Sequence, residues 1–238
     1  MPVAIVTGAS RGLGRATARL LAGRGWSLVL DARGAAALRA VVLDLRTTSA
    51  IAVPGDVTDP HHRRALLEAA DRLGELDVLV NNASELGPSP LPALATYPEA
   101  ALRAVYETNV VAPLALIRLA IPTLSARGGV IVNVTSDAAV ESYPRWGGYG
   151  SSKAALEHLT RTLAVEHPEL RVYAFDPGDM RTEMHQRAFP GEDISDRAAP
   201  ESVAPALARL LEDRPESGRY RAADLVAVAV EGEVEVGS

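Results

Sequence analysis

The sequence predicts an α/β fold in which a doubly wound parallel sheet forms the middle of three layers, with helices on both faces. Short apolar runs alternate with helical patterns along most of the 238 residues, and this alternation is typical of parallel strands joined by helical crossovers. The runs are solidly apolar rather than alternating, as at 78–80, which indicates strands covered on both faces. No linker or internal repeat interrupts the pattern, so we expect a single domain over 1–238.

The elements follow one another in strand–helix order. The predicted strands are 3–7, 27–31, 50–54, 77–81, 129–135 and 170–175, and the predicted helices are 12–24, 35–46, 60–73, 99–126 and 148–167. Ligands in such sheets bind beyond the carboxyl ends of the strands, near the switch in strand order. The segment 182–200 has no clear period, and we interpret it as a candidate substrate lid, with an ordinary surface loop as the alternative.

Composition sets limits on the function. The formal net charge is −6, which argues against a nucleic-acid partner because such a protein presents a basic face. No uncharged apolar run approaches the roughly 18 residues of a membrane span, and the first strand begins too early to leave room for a signal peptide. The chain has no cysteine and its five histidines are adjacent or isolated, so no metal site is expected. We therefore expect a cytoplasmic protein without a nucleic-acid or membrane partner.

A glycine-rich turn follows the first strand, in the run Gly8-Ala9-Ser10-Arg11-Gly12-Leu13-Gly14. Glycines allow the backbone to approach a pyrophosphate, and the N-terminus of the following helix offers free N–H groups and the positive end of its dipole. The spacing differs from the commoner Gly-x-Gly-x-x-Gly, and a tight connection without a ligand is the alternative. The position between a strand and a helix favours a phosphate-binding turn.

Tyr149 and Lys153 indicate the chemistry. They lie four residues apart in a helical pattern, so both side chains are on one face of the helix. An ammonium group lowers the pKa of a nearby phenol, and such a phenol can exchange a proton with an alcohol or a ketone. The pair alone is a weak signal, because chance produces it often. Ser136, which follows the apolar run 130–134, strengthens it.

Together these motifs resemble those of the short-chain dehydrogenase/reductase family, in its compact single-domain form with a Rossmann-like fold. The match extends from Val3 to about Met184, and more loosely to the end. It is carried by Thr7-Gly8-Ala9-Ser10-Arg11-Gly12-Leu13-Gly14, Asp56-Val57, Asn81-Asn82-Ala83, Pro177-Gly178 with Thr182, and the four residues Asn109, Ser136, Tyr149 and Lys153. The resemblance implies an oxidoreductase that interconverts a carbonyl and a secondary alcohol with NAD(P)(H).

The resemblance also implies the roles of the site residues. Tyr149 is expected to be the general acid in ketone reduction and the base in alcohol oxidation, while Lys153 lowers its pKa and holds the nicotinamide ribose. Ser136 orients the substrate oxygen, and Asn109 bends its helix and holds a water that relays protons to Lys153. The implied cofactor contacts are Gly8, Ser10, Arg11, Gly12, Leu13, Gly14, Asp56, Val57, Asn82, Ala83, Tyr149, Lys153, Pro177, Gly178 and Thr182.

The choice between NADP(H) and NAD(H) depends on the end of the second strand. Asp31 lies 23 residues after Gly8, and an acidic residue about 20 residues after the glycine turn can bind the 2′-hydroxyl of NAD. In register with the family that acid falls at Ala32, and adjacent strand residues point to opposite faces. Arg33 and Arg11 occupy places where NADP-dependent members carry basic residues, and arginine binds phosphate well. We therefore favour NADP(H), with NAD(H) as the alternative.

Two departures from the family pattern lie beside the expected nicotinamide. Ser84 replaces the glycine of Asn-Asn-Ala-Gly, and a serine there loses freedom at positive φ, so we expect a differently shaped loop. Asp176 and Asp179 flank the Pro-Gly turn and place two carboxylates there. These carboxylates either pair with Arg181 or favour neutral substrates.

Two alternatives to a turnover enzyme of this kind remain. The first is a cofactor-binding sensor or scaffold that has lost catalytic turnover. The intact set of catalytic residues argues against it, namely Asn109, Ser136, Tyr149 and Lys153. The second is a lyase or epimerase with a tightly held nicotinamide. Such relatives usually add a substrate domain after the sixth strand, and this sequence leaves little length for one. The sequence does not identify the substrate.

The helical patterns 99–126 and 148–167 predict self-association. They carry more apolar positions than one sheet-facing stripe needs. Relatives that resemble this chain pair these two helices across a two-fold axis, and closed symmetric contacts are the commonest in soluble oligomers. We therefore expect a homodimer or homotetramer, with packing of both faces inside one chain as the alternative.

Overall fold

The computed structural model describes residues 1–45 and 49–225. Over these residues the strands are β1 (Val3–Val6), β2 (Ser27–Ala32), β3 (Ala50–Pro54), β4 (Leu76–Asn81), β5 (Val130–Val134), β6 (Arg171–Asp176) and β7 (Gly218–Arg221). They form one parallel sheet in the order β3-β2-β1-β4-β5-β6-β7. The direction of strand order reverses between β1 and β4, which makes this the switch point where ligands bind in such sheets.

The α-helices of the same residues are α1 (Gly12–Gly23), α2 (Ala35–Asp44), α3 (Pro60–Leu73), α4 (Glu99–Tyr106), α5 (Ala112–Arg127), α6 (Gly147–Glu166), α7 (Glu183–Ala188) and α8 (Pro200–Asp213). Leucines of α1, α2 and α8 join one buried apolar cluster, and side chains of α3, α5 and α6 join another. Strand residues belong to both clusters because successive side chains point to opposite faces of the sheet. The sheet is thus the middle of three layers.

The predicted fold class and layers are confirmed, and each predicted strand agrees with the structure to within one residue at either end. The prediction missed β7, α7 and α8. The sequence of β7 is Gly-Arg-Tyr-Arg, which lacks the apolar run that marks the other strands. Val203, Leu207 and Leu210 have helical spacing in α8, but Pro205 lies inside that pattern. The described residues do not include 46–48 and 226–238. The last residue of the predicted helix 35–46 and part of the predicted domain 1–238 therefore lie outside them.

The predicted helix 99–126 is not one regular α-helix. A π-helical turn, Glu107–Val111, separates α4 from α5 and contains Asn109, whose side chain is fully buried. A π turn inserts an extra residue into the helix and is frequent at functional sites. The expected bend at Asn109 therefore has a definite structural form.

Among the described residues, the helical stretch Glu99–Arg127 is long and apolar enough to cross a membrane by length and composition. Leu116, Ile117 and Leu124 from this stretch lie in the buried cluster on one face of the sheet. A core helix of a folded domain can satisfy the same criterion.

Candidate active site

A cleft of about 890 Å³ opens at the carboxyl ends of the strands around the switch point. Of the predicted site residues, only Gly14 and Asn109 do not line it. The structure thus brings together Gly8, Ser10, Arg11, Gly12, Leu13, Asp31, Arg33, Asp56, Val57, Asn82, Ala83, Ser136, Tyr149, Lys153, Pro177, Gly178 and Thr182.

The glycines of this turn allow close packing against neighbouring backbone and leave the turn open at Gly12. Gly8 has a φ of +65°, and a Cβ there would lie 2.9 Å from the Ala83 Cα, while a Cβ at Gly14 would lie 2.6 Å from the Gly8 oxygen. Gly12 is open, since its Cβ would meet only the Thr182 methyl group, at 3.6 Å. No side chain caps the N-terminus of α1, so its first N–H groups are available to an anion. This turn fits the pyrophosphate of a dinucleotide.

Asn82 supports the turn from the neighbouring strand. Its Nδ2 donates to the carbonyl oxygens of Thr7 at 2.8 Å and of Gly8 at 3.2 Å. The backbone N–H groups of Asn82 and Ala83 both donate to the Thr7 hydroxyl at 3.0 Å. The loop after β4 and the turn after β1 are therefore one hydrogen-bonded unit.

Tyr149 lies in the first turn of α6 and is buried, and the hydroxyl groups of Ser84 and Ser136 are close enough to act on the pKa of its phenol. Ser84 does not have a positive φ, so the strain expected from replacing a glycine is absent. Its hydroxyl instead donates to Asn109 Oδ1 at 3.1 Å. The serine therefore connects the phenol to the π turn, a contact that a glycine cannot make.

Lys153 lies one turn after Tyr149 on the same face of α6, as the spacing indicates. Its Nζ donates to the Val134 oxygen at 2.8 Å and lies 5.5 Å from the centroid of the Tyr149 ring. Burial lowers the pKa of Lys153 to about 7 and raises the pKa of Tyr149, which Asp137 and Asp176 raise further. The lowered pKa expected for Tyr149 is not found, because burial favours the uncharged form of both groups. The phenol is thus protonated at neutral pH.

Asn109 fastens the loop after β4 to α6. Its Oδ1 accepts from the N–H of Glu85 at 2.7 Å, and its Nδ2 donates to the Glu85 oxygen at 2.9 Å and to Ser152 Oγ at 2.9 Å. The amide is therefore satisfied by protein groups that hold both sides of the cleft. The water relay implied for this residue stays a prediction.

Ser136 follows β5 and is held by its neighbour in the chain. Its Oγ donates to Asp137 Oδ1 at 2.8 Å and accepts from the N–H of Ala138 at 3.2 Å. The Tyr143 hydroxyl donates to the other carboxylate oxygen of Asp137 at 2.9 Å. Our sequence analysis did not single out Asp137, although its position directly after the serine was the available signal.

Asp31 lines the cleft but does not offer its carboxylate to a ligand. The carboxylate is 2 % exposed, lies 2.6 Å from His62 Nε2 and accepts from the N–H of Gly8 at 3.4 Å. Burial raises its pKa, and the contact with His62 opposes that shift. A hydrogen bond from Asp31 to a ribose 2′-hydroxyl, the alternative that would favour NAD(H), would compete with these contacts. Asp31 instead fastens the glycine turn to α3, on which His62 lies.

Asp56 and Val57 form the turn between β3 and α3 at the edge of the cleft. Asp56 Oδ1 accepts from the N–H of Thr58 at 2.9 Å, and the Val57 oxygen accepts from Arg63 Nη1 at 2.6 Å. The backbone of this turn is therefore fixed by local contacts, as a rigid wall for a ligand requires.

Two arginines stand at the mouth of the cleft. The Arg33 side chain is 69 % exposed, and its Nη2 lies 4.0 Å from Glu85 Oε2. Arg11 forms an ion pair with Glu183 in the first turn of α7, and both side chains are more than half exposed. Exposed ion pairs contribute little free energy. A phosphate can therefore replace either carboxylate at small cost.

The predicted lid segment contains α7, which is attached on both sides of the cleft. Arg187 Nη2 donates to the Gly87 oxygen at 3.0 Å and lies 3.5 Å from Glu85 Oε1, in the loop after β4. The pair of Arg11 with Glu183 attaches the other end of the helix to the glycine turn. This helix thus bridges the cleft.

Aromatic rings connect Tyr149 to this bridge. The Trp146 ring packs edge-on against Tyr149 and also against Phe189, with both centroid separations 5.8 Å, and Phe189 lies 4.8 Å from the His185 ring. His185 is buried, and its Nε2 has no hydrogen-bond partner among the described residues. The wall beside the phenol is therefore largely apolar, with one imidazole nitrogen at its far end.

The two carboxylates at the Pro-Gly turn do not pair with Arg181, which corrects one of our expectations. Asp176 Oδ2 accepts from Arg219 Nη2 at 2.7 Å, and Asp179 lies 3.6 Å from Arg197. Arg219 belongs to β7, and because the sequence analysis missed this strand it did not suggest the partner. No local sequence pattern pointed to it.

A model of the short chain dehydrogenase family matches residues 2–193. A cis-4-hydroxycyclohexanecarboxylate dehydrogenase of Sinomonas cyclohexanicum is 37 % identical over 230 residues, which cover 89 % of each chain. The structure of an alcohol dehydrogenase from the archaeon Thermococcus sibiricus, complexed with 5-hydroxy-NADP, has a TM-score of 0.83 at 28 % identity and covers 93 % of this chain and 95 % of its own. A 7α-hydroxysteroid dehydrogenase complexed with NADH and 7-oxo glycochenodeoxycholic acid has a TM-score of 0.84 at 31 % identity and 92 % coverage of both chains.

The chain therefore belongs to the short-chain dehydrogenase family of oxidoreductases, and its cleft lies where a Rossmann fold binds nucleotides.

Proposed function

We propose that this protein is an NADP(H)-dependent oxidoreductase that interconverts a small-molecule carbonyl compound and a secondary alcohol. The observation that carries the proposal is the arrangement around Tyr149. Its buried phenol lines the same cleft as Ser136 and shares a helix face with Lys153, beside a glycine turn that fits a pyrophosphate. The nicotinamide ring supplies or accepts the hydride when the cofactor is bound.

Tyr149 acts as the general acid in reduction and as the base in oxidation. In reduction its phenol donates a proton to the carbonyl oxygen, so that one hydride and one proton convert the ketone to the alcohol. Ser136 Oγ would turn from Asp137 to hold the substrate oxygen, and Lys153 would hold the nicotinamide ribose when the cofactor is bound. The raised pKa of Tyr149 keeps its proton in place at neutral pH, which suits reduction better than oxidation.

The preference for NADP(H) is supported by Arg33 and Arg11. Both guanidinium groups line the cleft, and their partners are exposed or partly exposed carboxylates that a 2′-phosphate can replace. Asp31, the residue that could favour NAD(H), has its carboxylate engaged with His62. Solved relatives contain either kind of cofactor, so the preference depends on this chain's own residues.

The substrate class follows from the wall beside Tyr149. Trp146 and Met184 line the cleft and belong to the apolar cluster around Tyr149, and Phe189 packs against the Trp146 ring. We expect ketones with an apolar, ring-containing body, because flat hydrocarbon surfaces pack well against aromatic side chains.

A panel of cyclic and open-chain ketones and secondary alcohols, tested with both cofactors, measures the activity. We expect turnover with cyclic ketones and NADPH, and Tyr149→Phe should lower kcat by about 10²–10⁴-fold while the Kd of NADPH stays within about twofold. Tyr106→Phe serves as the matched control, since Tyr106 does not line the cleft. Near-normal turnover in the Tyr149→Phe enzyme contradicts the assigned role.

A further inference from the structure

Two carboxylates are buried behind the candidate catalytic residues, and one arginine contacts both. Asp176 at the end of β6 and Glu157 in α6 are 3 % and 2 % exposed. Arg219 in β7 donates from Nη2 to Asp176 Oδ2 at 2.7 Å and from Nε to Glu157 Oε1 at 3.0 Å. The Thr135 hydroxyl also donates to Glu157 Oε1, at 2.8 Å. Buried carboxylates persist when they are paired and hydrogen-bonded, so Arg219 stabilises both.

The same guanidinium reaches the backbone that carries the site. Its Nη2 also donates to the Ser136 oxygen at 3.4 Å, and Asp176 Oδ1 accepts from the N–H of Gly178 at 3.0 Å. Glu157 lies one turn after Lys153, on the helix face shared with Tyr149. Arg219 therefore connects the end of β5, the turn after β6 and α6, which together carry the candidate catalytic residues.

Asp176 also acts on Tyr149 through its charge. Burial is the main cause of the raised pKa of Tyr149, and the carboxylates of Asp137 and Asp176 raise it further. Arg219 places a positive charge next to Asp176 and offsets the field of that carboxylate at the phenol. The charged groups that surround the phenol and the guanidinium are Asp137 after β5, Lys153, Glu157 and Arg161 on α6, and Asp176 on β6.

We propose that Arg219 is a positioning residue of this active site, which fixes the segments that carry Ser136 and Gly178 and neutralises Asp176 beside Tyr149. The inference rests on the proposed function, because it concerns the proton transfer by Tyr149. It also extends beyond the family match, since Arg219 lies outside the residues 2–193 that the family model covers.

The pH dependence of kcat for alcohol oxidation tests the charge effect. Arg219→Gln leaves Asp176 uncompensated, so the apparent pKa of the alkaline rise should move up by about one unit. Asp176→Asn removes the carboxylate and keeps the arginine, so the same pKa should move down. The double variant should lie near the wild type, and Arg219→Lys, which keeps the charge, should restore part of the profile.

Binding of NADPH, followed by its fluorescence, tests the positioning without requiring turnover. Arg219→Gln should weaken binding roughly threefold to tenfold, because the turn at Gly178 loses its support. Arg221→Gln is the matched control, since Arg221 is an exposed residue of the same strand and the charge change is equal. That variant should leave both the Kd and the pH profile unchanged.

The outcomes separate the inference from the proposed function. If Arg219→Gln lowers the melting temperature but moves neither the pH profile nor the NADPH affinity, Arg219 is only structural and the inference is overturned. If Arg219→Gln does not fold, the downward shift of Asp176→Asn decides, and its absence overturns the inference. If the wild type transfers no hydride to any compound, the proposed function fails, and the NADPH affinities still decide whether Arg219 positions the site.

Discussion

The proposed preference for NADP(H) depends on two side chains, Arg33 and Arg11. Both lie at the mouth of the cleft, and the carboxylates closest to them, Glu85 and Glu183, belong to the loop after β4 and to α7. A guanidinium binds phosphate with two parallel hydrogen bonds, whereas a ribose hydroxyl offers it no charge. The selectivity for a 2′-phosphate should therefore reside in these two residues rather than in the buried Asp31.

We expect Arg33→Ala to weaken the binding of NADPH by roughly 10- to 150-fold, since a charge-assisted hydrogen bond is worth about 1.5–3 kcal/mol. The binding of NADH should change much less. Arg11→Ala should add to the loss. Dissociation constants of both cofactors measure the effect, with Arg39→Ala as the control because Arg39 is an exposed residue of α2 outside the cleft. Equal losses for NADPH and NADH would place the phosphate elsewhere.

The site residues differ in how far the sequence could predict them. Tyr149 and Lys153 are separated by one helical turn, so their common face followed from spacing alone. The partner of Asp31 could not be predicted, because a strand residue's direction depends on register and His62 lies on another element, α3. Arg219 was missed because it comes from a strand whose sequence is polar, and only the folded sheet brings it beside Asp176.

At the scale of elements, the structure agrees best with the sequence where burial is most uniform. Strands β1, β2, β4, β5 and β6 are almost wholly buried and read as apolar runs, and the edge strand β3 is only half-buried but also has an apolar sequence. Strand β7 lies at the edge of the sheet, where partial exposure permits arginines and a tyrosine, so its pattern was not recognisable. The π turn was also hidden, because one additional residue in a helix leaves the apolar spacing on either side intact.

Helix α7 is the element whose position depends most on charge. It has six residues, and its attachments across the cleft include the pair of Arg11 with Glu183 and the contacts of Arg187 with Gly87 and Glu85. Such a short helix has little stability of its own. Loss of one attachment should therefore free the helix without unfolding the protein.

Arg187→Ala should raise the KM of the carbonyl substrate severalfold, with a smaller effect on kcat, because the wall formed by Phe189 and His185 moves with α7. Cleavage by a protease within 183–192 should become faster at the same time. Steady-state kinetics and limited proteolysis measure both effects, and Arg64→Ala, an exposed change on α3, is the control. An unchanged KM together with an unchanged cleavage rate would show that Arg187 does not hold the helix.

At the scale of the whole molecule, part of the apolar surface expected for self-association is used within the chain. Val105, Ile117 and Leu156 are buried in the structure. Val111, Leu119 and Val165 remain exposed on the π turn, α5 and α6, with Val165 82 % exposed. These positions lie on the two helical stretches that the sequence analysis assigned to an interface. The predicted homodimer or homotetramer stays a prediction.

Val165→Asp should shift the protein towards the monomer, because a carboxylate in an apolar contact is costly to bury. Leu43→Asp is the matched control, since Leu43 is 81 % exposed but lies on α2, away from both helices. Light scattering at micromolar concentration measures the mass. A clean species of 25.1 kDa with full activity in the unaltered protein would refute the predicted assembly.

The π turn constrains how this chain can tolerate insertions and deletions. Removing one residue from Glu107–Val111 would restore regular helical winding and rotate everything after it by about 100°. That rotation would carry Ile117 away from the sheet and Leu119 away from its present outward direction, while the amide of Asn109 would lose its place between Glu85 and Ser152. A change of one residue in length at this turn therefore alters the buried core, the exposed face of α5 and the candidate active site at the same time. None of the three can change in this way without the other two.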